Sequence, residues 1–164
     1  MIPHYLVLEE RIRQEQQDLD RTQAAACRHW AKALSIAVDQ DAYINSVALN
    51  LHSWYSGLER IFELIAVEMD GGTLGGADWH TELLRQMTLS LGKVRPAVLQ
   101  AQTAQRLDEY RKFRHRIRNI YATNIDPKRL QGLMDELPGL WAQIQVELTA
   151  FRAVLEQLSH ADEP

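Results

Sequence analysis

Apolar residues recur at intervals of three, four and seven along almost the whole chain, and no segment alternates apolar with polar long enough to argue a strand. Tyr5, Leu8, Ile12, Leu19, Ala26, Trp30, Leu34 and Ala37 make one such stripe. Val47, Leu51, Trp54, Leu58, Ile61, Ile65 and Met69 make a second, and a third runs from Leu133 through Leu137, Leu140, Ile144, Leu148, Phe151 and Leu155 to Leu158. On a helix each set shares one side, and that side must find a partner to leave water. The spacing therefore predicts an all-α fold, an antiparallel helical bundle of four main helices plus one short helix.

Local punctuation sets the expected boundaries. Asp39 and Asp41 mark a turn and an N-cap before a helix over about 42–69. The stretch "DGGTLGGAD" has no preceding strand and no GK[ST] ending, so it is a hairpin between helices and not a phosphate loop. Asp78 is expected to cap a short third helix ending near Leu91 and Gly92, and Pro96 to open a fourth. Asp126 followed by Pro127 signals the last helix, which Pro138 should kink or briefly break.

At 164 residues the chain suits a single domain over 1–164, with 159–164 expected as a disordered tail. There is no apolar run of about 18 residues able to cross a bilayer. The first residues carry no basic leader, and the lone Cys27 allows no internal disulfide or multi-cysteine metal cluster, so the expected compartment is the reducing cytoplasm.

The net charge of −4 conceals an asymmetry. From Arg106 to Arg129 there are eight Lys or Arg against three Asp or Glu, whereas the remainder has 10 against 19. A polyanion is drawn to the first segment and repelled by the rest, which favours a small phosphate-rich site over a broad nucleic-acid coat. On charge alone a solvated basic helix face explains the run equally well. Its centre, "RKFRHRIRNIY", spans Arg111 to Tyr121. At about 100° per residue Tyr110, Phe113, Ile117, Ile120 and Tyr121 should face the core, with Arg114 at the edge of that arc beside Arg111 and Arg118. His115 and Asn119 lie one turn apart, further round. Three arginines at the rim of an apolar face, next to a histidine and an amide, suit a phosphate and its neighbours.

Arg114, His115, Arg118, Asn119 and Tyr121 also carry a resemblance. Nuclease members of the HEPN superfamily have an arginine, a polar residue, three further positions and a histidine, and the HepT-like toxins add a tyrosine two residues on; here Asn119 stands where that histidine is expected. The blocks "SVALNLHSWYSGLERIFELIA", "ADWHTELLRQM" and "FRHRIRNIYATNIDPKRL" resemble one branch of HepT-like proteins in order and spacing. The resemblance implies a helical homodimer whose motifs meet in a cleft between subunits. It also implies a metal-independent, cofactor-free endoribonuclease. Such toxins pair with a minimal nucleotidyltransferase (MNT) antitoxin that silences them by AMPylation of the motif tyrosine.

Carried over residue by residue, Arg114 binds the scissile phosphate of RNA, Arg111 and Arg118 assist substrate binding, and Tyr121 accepts AMP. A carboxamide at position 119 orients a hydroxyl but does not exchange protons near neutrality, so the acid–base contribution, about 10²- to 10⁴-fold, needs another source. His115 is the replacement the sequence offers. The alternative is a non-catalytic helical dimer that binds RNA or a nucleotidyltransferase without cutting.

Other conspicuous residues are expected to be structural. His52 and His80 lack a second ligand at i+3 or i+4, and the four tryptophans sit on apolar stripes or at a helix start. Glu59 and Arg60 form an internal ion pair or reach toward the motif, the structural role being preferred. Cys27 has no histidine beside it and is not expected to be a nucleophile.

Overall fold

The computed structural model describes residues 2–73, 75–117 and 125–161. Within them the chain forms five helices: α1 over Pro3–Ser35, α2 over Gln40–Met69, α3 over Trp79–Gln86, α4 over Ala101–Ile117 and α5 over Pro127–Ser159. Four are long and α3 is short, and the fold is the all-α bundle that the apolar spacing predicts. Among the described residues the single extended pairing is an isolated bridge between Leu91 and Arg95.

Side-chain pairs along the helices fix their relative directions. Between α1 and α2, His4 meets Glu68, Glu15 meets Arg60 and His29 meets Ser46, so one number falls as the other rises and the two run antiparallel. Glu9 with Arg152 and Asp20 with Trp141 give the same sense for α1 and α5. Thr103 with Glu147 and Tyr110 with the Leu133 carbonyl give it for α4 and α5. The three apolar stripes thus converge on one core. Trp54, wholly buried on α2, stands edge-on to Tyr110 of α4 and Trp141 of α5, at ring-centroid distances of 5.3 and 5.9 Å.

Several boundaries differ from expectation for identifiable reasons. α5 opens as predicted, with Pro127 in its first turn and the Asp126 carboxylate accepting from the Lys128 amide at 3.0 Å. Asp39 and Asp78 precede α2 and α3 without a side-chain capping bond; Asp39 instead takes the left-handed conformation, φ 58°. α3 stops at Gln86 and α4 begins only at Ala101 because Arg95 organises the chain between them. Its guanidinium receives no solvent, is paired with Asp70 through two 2.6 Å bonds, and donates to the carbonyls of Gln86, Leu89 and Pro96. The amides of Val98 and Leu99 both donate to the Met87 carbonyl.

On α1 the buried line passes through Leu19, Ala26 and Ala33, leaving Leu34 exposed, and Ala37 lies beyond the helix end. α5 continues through Pro138 without a break; Pro138 and Gly139 face solvent. Ser159, expected in a tail, is buried as the last residue of α5, and its carbonyl accepts from the Ile2 amide at 2.8 Å.

Two glycines make opposite predictions. A side-chain carbon on Gly57 would lie 2.6 Å from Leu19 Cδ2, at the close approach of α1 and α2, whereas one on the exposed Gly132 of α5 would meet nothing within 4 Å. Gly57→Val is expected to destabilise by about 1–3 kcal/mol through overpacking. Gly132→Ala is expected to stabilise by about 0.5–1 kcal/mol by relieving helix-interior glycine. Urea denaturation reads both.

Candidate functional site

The quoted basic run lies on α4, and its inner face carries more than apolar side chains. Tyr110 and Phe113 are buried as the period predicts, and so is Arg114, with only 5% of its surface exposed. The sequence places Arg114 at the edge of the apolar arc, available to water; the structure corrects this. α2 covers that edge and brings Glu59, itself buried, against the guanidinium in a two-pronged pair, Nη1 to Oε1 at 2.9 Å and Nη2 to Oε2 at 3.0 Å. Ser56 Oγ accepts from Nη1 at 3.3 Å, and the guanidinium carbon stands 4.9 Å from the centre of the Tyr55 ring. Burial pushes the Tyr55 hydroxyl well above its usual titration range, with the Glu59 charge adding to the effect, so it stays protonated.

α3 supplies the third member. His80 Nδ1 lies 2.8 Å from Glu59 Oε2 and 2.9 Å from Arg114 Nη2, and 23% of the imidazole side chain remains exposed. Its ring is stacked on that of Trp79, centroids 3.6 Å apart, which restricts how it turns. Of the two expectations for Glu59, the reach toward the motif is the one the structure shows, since Glu59 grips Arg114 while Arg60 pairs with Glu15, and His80, expected to be structural, meets them there. One signal for Glu59 was present: it falls one turn from Tyr55 on the buried side of α2, where a carboxylate needs a cation. Nothing local points to His80, which is 21 residues from Glu59 and 34 from Arg114.

The remaining site residues divide. His115, one position beyond Arg114, turns outward and is exposed, as is Arg116. Arg111 is half-buried and donates to Asp108 at 2.6 Å, a bond that holds its guanidinium more firmly protonated than usual. Lys112 is paired with Asp108 and Glu109 on α4 itself, while Glu136 of α5, paired with Arg106, and Glu59 of α2, paired with Arg114, offset two further cations. Arg118, Asn119, Ile120 and Tyr121 lie outside the described residues.

Elsewhere, burial pushes the Cys27 thiol above its ordinary value, which disfavours the thiolate a nucleophile needs. Among the described residues no three His, Cys, Asp or Glu side chains converge as a metal site, and no helix is long and apolar enough to cross a membrane. Between α4 and α5 a cavity of about 340 Å³ is lined by Tyr110, Phe113 and Leu133 and rimmed by Arg106, Arg116 and Arg129.

Fold and site together define an antiparallel all-α bundle that buries a guanidinium and a carboxylate against a partly exposed imidazole at the join of three helices. The chain belongs to the HepT-like family: the family model described as "HepT-like protein" matches residues 46–155, more than half of its length. That span takes in α2 from Ser46 onward and the whole of α3 and α4, and hence every member of the cluster. No curated protein and no solved structure matches the chain.

Proposed function

We propose that this chain is a HepT-type toxin, a metal-independent endoribonuclease that acts as a cytoplasmic homodimer, with a minimal nucleotidyltransferase as its antitoxin and Tyr121 as the AMP acceptor. Family membership supports this reading, and the Arg114 cluster carries it. Apolar residues of similar volume are generally at least as stabilising as a buried ion pair, so stability alone does not account for these charges. Glu59, Ser56 and His80 face four of the five guanidinium N–H groups. The fifth, on Nε, serves a phosphate oxygen, where it opposes the negative charge that grows during transesterification. By the family motif Arg111 and Arg118 assist substrate binding and Asn119 orients the attacking hydroxyl, while His115 extends the polar surface.

The same pair favours a second reading. Glu59 already grips both ends of Arg114, and position 119 holds an asparagine. A non-catalytic dimer that binds RNA or the nucleotidyltransferase fits those two facts.

Incubating the purified protein with labelled single-stranded RNA and a chelator separates the readings. The nuclease reading expects chelator-resistant cleavage that falls by about 10²-fold or more in Arg114→Lys, which keeps a positive charge beside Glu59 but loses the planar fork. Binding without cleavage establishes the second reading.

A further inference from the structure

Resting on the nuclease reading above, we infer that His80, held by Glu59, is the proton acceptor of this site. The position where the motif places a histidine is Asn119, and an amide cannot accept the proton of a 2′-hydroxyl. His115 is adjacent to Arg114 in sequence but not in direction, since Arg114 turns into the bundle and His115 turns out of it. The His80 imidazole touches the guanidinium and stays partly open to solvent.

The contacts also distinguish its nitrogens, since Nδ1 is the one that meets Arg114 and Glu59. Nδ1 lies between an obligate donor, Arg114 Nη2 at 2.9 Å, and a carboxylate oxygen, Glu59 Oε2 at 2.8 Å. In the tautomer that serves as base, Nδ1 carries the proton and donates to Glu59 Oε2, Arg114 Nη2 donates to that same oxygen rather than to the ring, and Nε2 carries the lone pair. That is the form of a general base oriented by a carboxylate, the relation the acid holds to histidine in serine hydrolases. The stack on Trp79 limits rotation, so Nε2 keeps a fixed bearing. Glu59 thus acts twice, positioning Arg114 through both oxygens and His80 through Oε2.

In the reaction, Nε2 takes the proton of the ribose 2′-hydroxyl as the 2′-oxygen forms a bond to phosphorus. The bond from phosphorus to the 5′-oxygen breaks, and that oxygen takes a proton from water. The imidazolium, still donating from Nδ1 to Glu59, returns its proton to solvent. The products are a 2′,3′-cyclic phosphate and a 5′-hydroxyl, and no oxidant or metal enters the balance.

The test uses the full chain, a fluorescently labelled single-stranded RNA and excess chelator. His80→Gln, which keeps most of the volume, and His80→Ala are both expected to lose about 10²- to 10⁴-fold in cleavage rate while retaining helical content and RNA affinity. Added imidazole is expected to restore part of the rate to His80→Ala and none to Arg114→Lys, an effect that a purely structural histidine would not produce. Undiminished cleavage by His80→Gln, or a loss in both His80 variants that imidazole leaves unchanged, overturns the role of His80 while leaving the nuclease reading intact. Absence of cleavage by the unaltered protein overturns both together.

Discussion

Glu59→Ala is expected to lower the stability of the bundle by about 3–5 kcal/mol in chemical denaturation, one of the two largest single-residue effects we expect. The reason is not the strength of the Glu59–Arg114 attraction, which largely offsets the desolvation of two buried charges. Removing the carboxylate leaves Arg114 buried without its counter-charge, with Ser56, the His80 ring and the face of Tyr55 beside it among the described residues. The double replacement Glu59→Leu with Arg114→Met is therefore expected to recover most of the loss, because both charges go together and the space is refilled. A double-mutant cycle measures the difference as a coupling energy. Additive single effects, with the double variant as unstable as their sum, would show that the pair is not coupled.

The second large effect belongs to a different pair. Asp70→Ala is expected to destabilise by about 3–5 kcal/mol as well, since Arg95 is fully shielded from solvent and its two 2.6 Å bonds to Asp70 are the whole of its charge compensation among the described residues. Here the consequence is also local. Arg95 ties the carbonyls of Gln86, Leu89 and Pro96 together, so losing its anchor should loosen the connection between α3 and α4. Hydrogen exchange at the Val98 and Leu99 amides, which share the Met87 carbonyl, should accelerate in Asp70→Ala more than exchange in α1 does. Equal acceleration everywhere would mean that Arg95 contributes only to global stability.

The two pairs also explain what the sequence discloses and what it withholds. Helix type and number are visible because burial repeats with the period of the helix: Leu51, Trp54, Leu58, Ile61 and Ile65 announce α2, and all five are buried. The start of α5 is visible because Asp126 and Pro127 act on the next two residues alone. The delayed start of α4 is invisible from Pro96, because it depends on Arg95 reaching Asp70 across 25 positions. Arg114 is visible as a candidate from its motif, but its burial depends on where α2 lies. His80 is hidden most deeply, because its importance comes only from the two residues it meets. Spacing rules detect partners one turn apart; a cluster assembled from three helices leaves no such trace.

The contact between Trp79 and His80 has a practical consequence. An indole lying 3.6 Å from an imidazole emits according to where that imidazole sits, so any molecule that moves His80 writes its arrival into the emission of Trp79. With Trp30, Trp54 and Trp141 replaced by phenylalanine, a molecule that reaches His80 becomes visible by light alone, without a label on either partner.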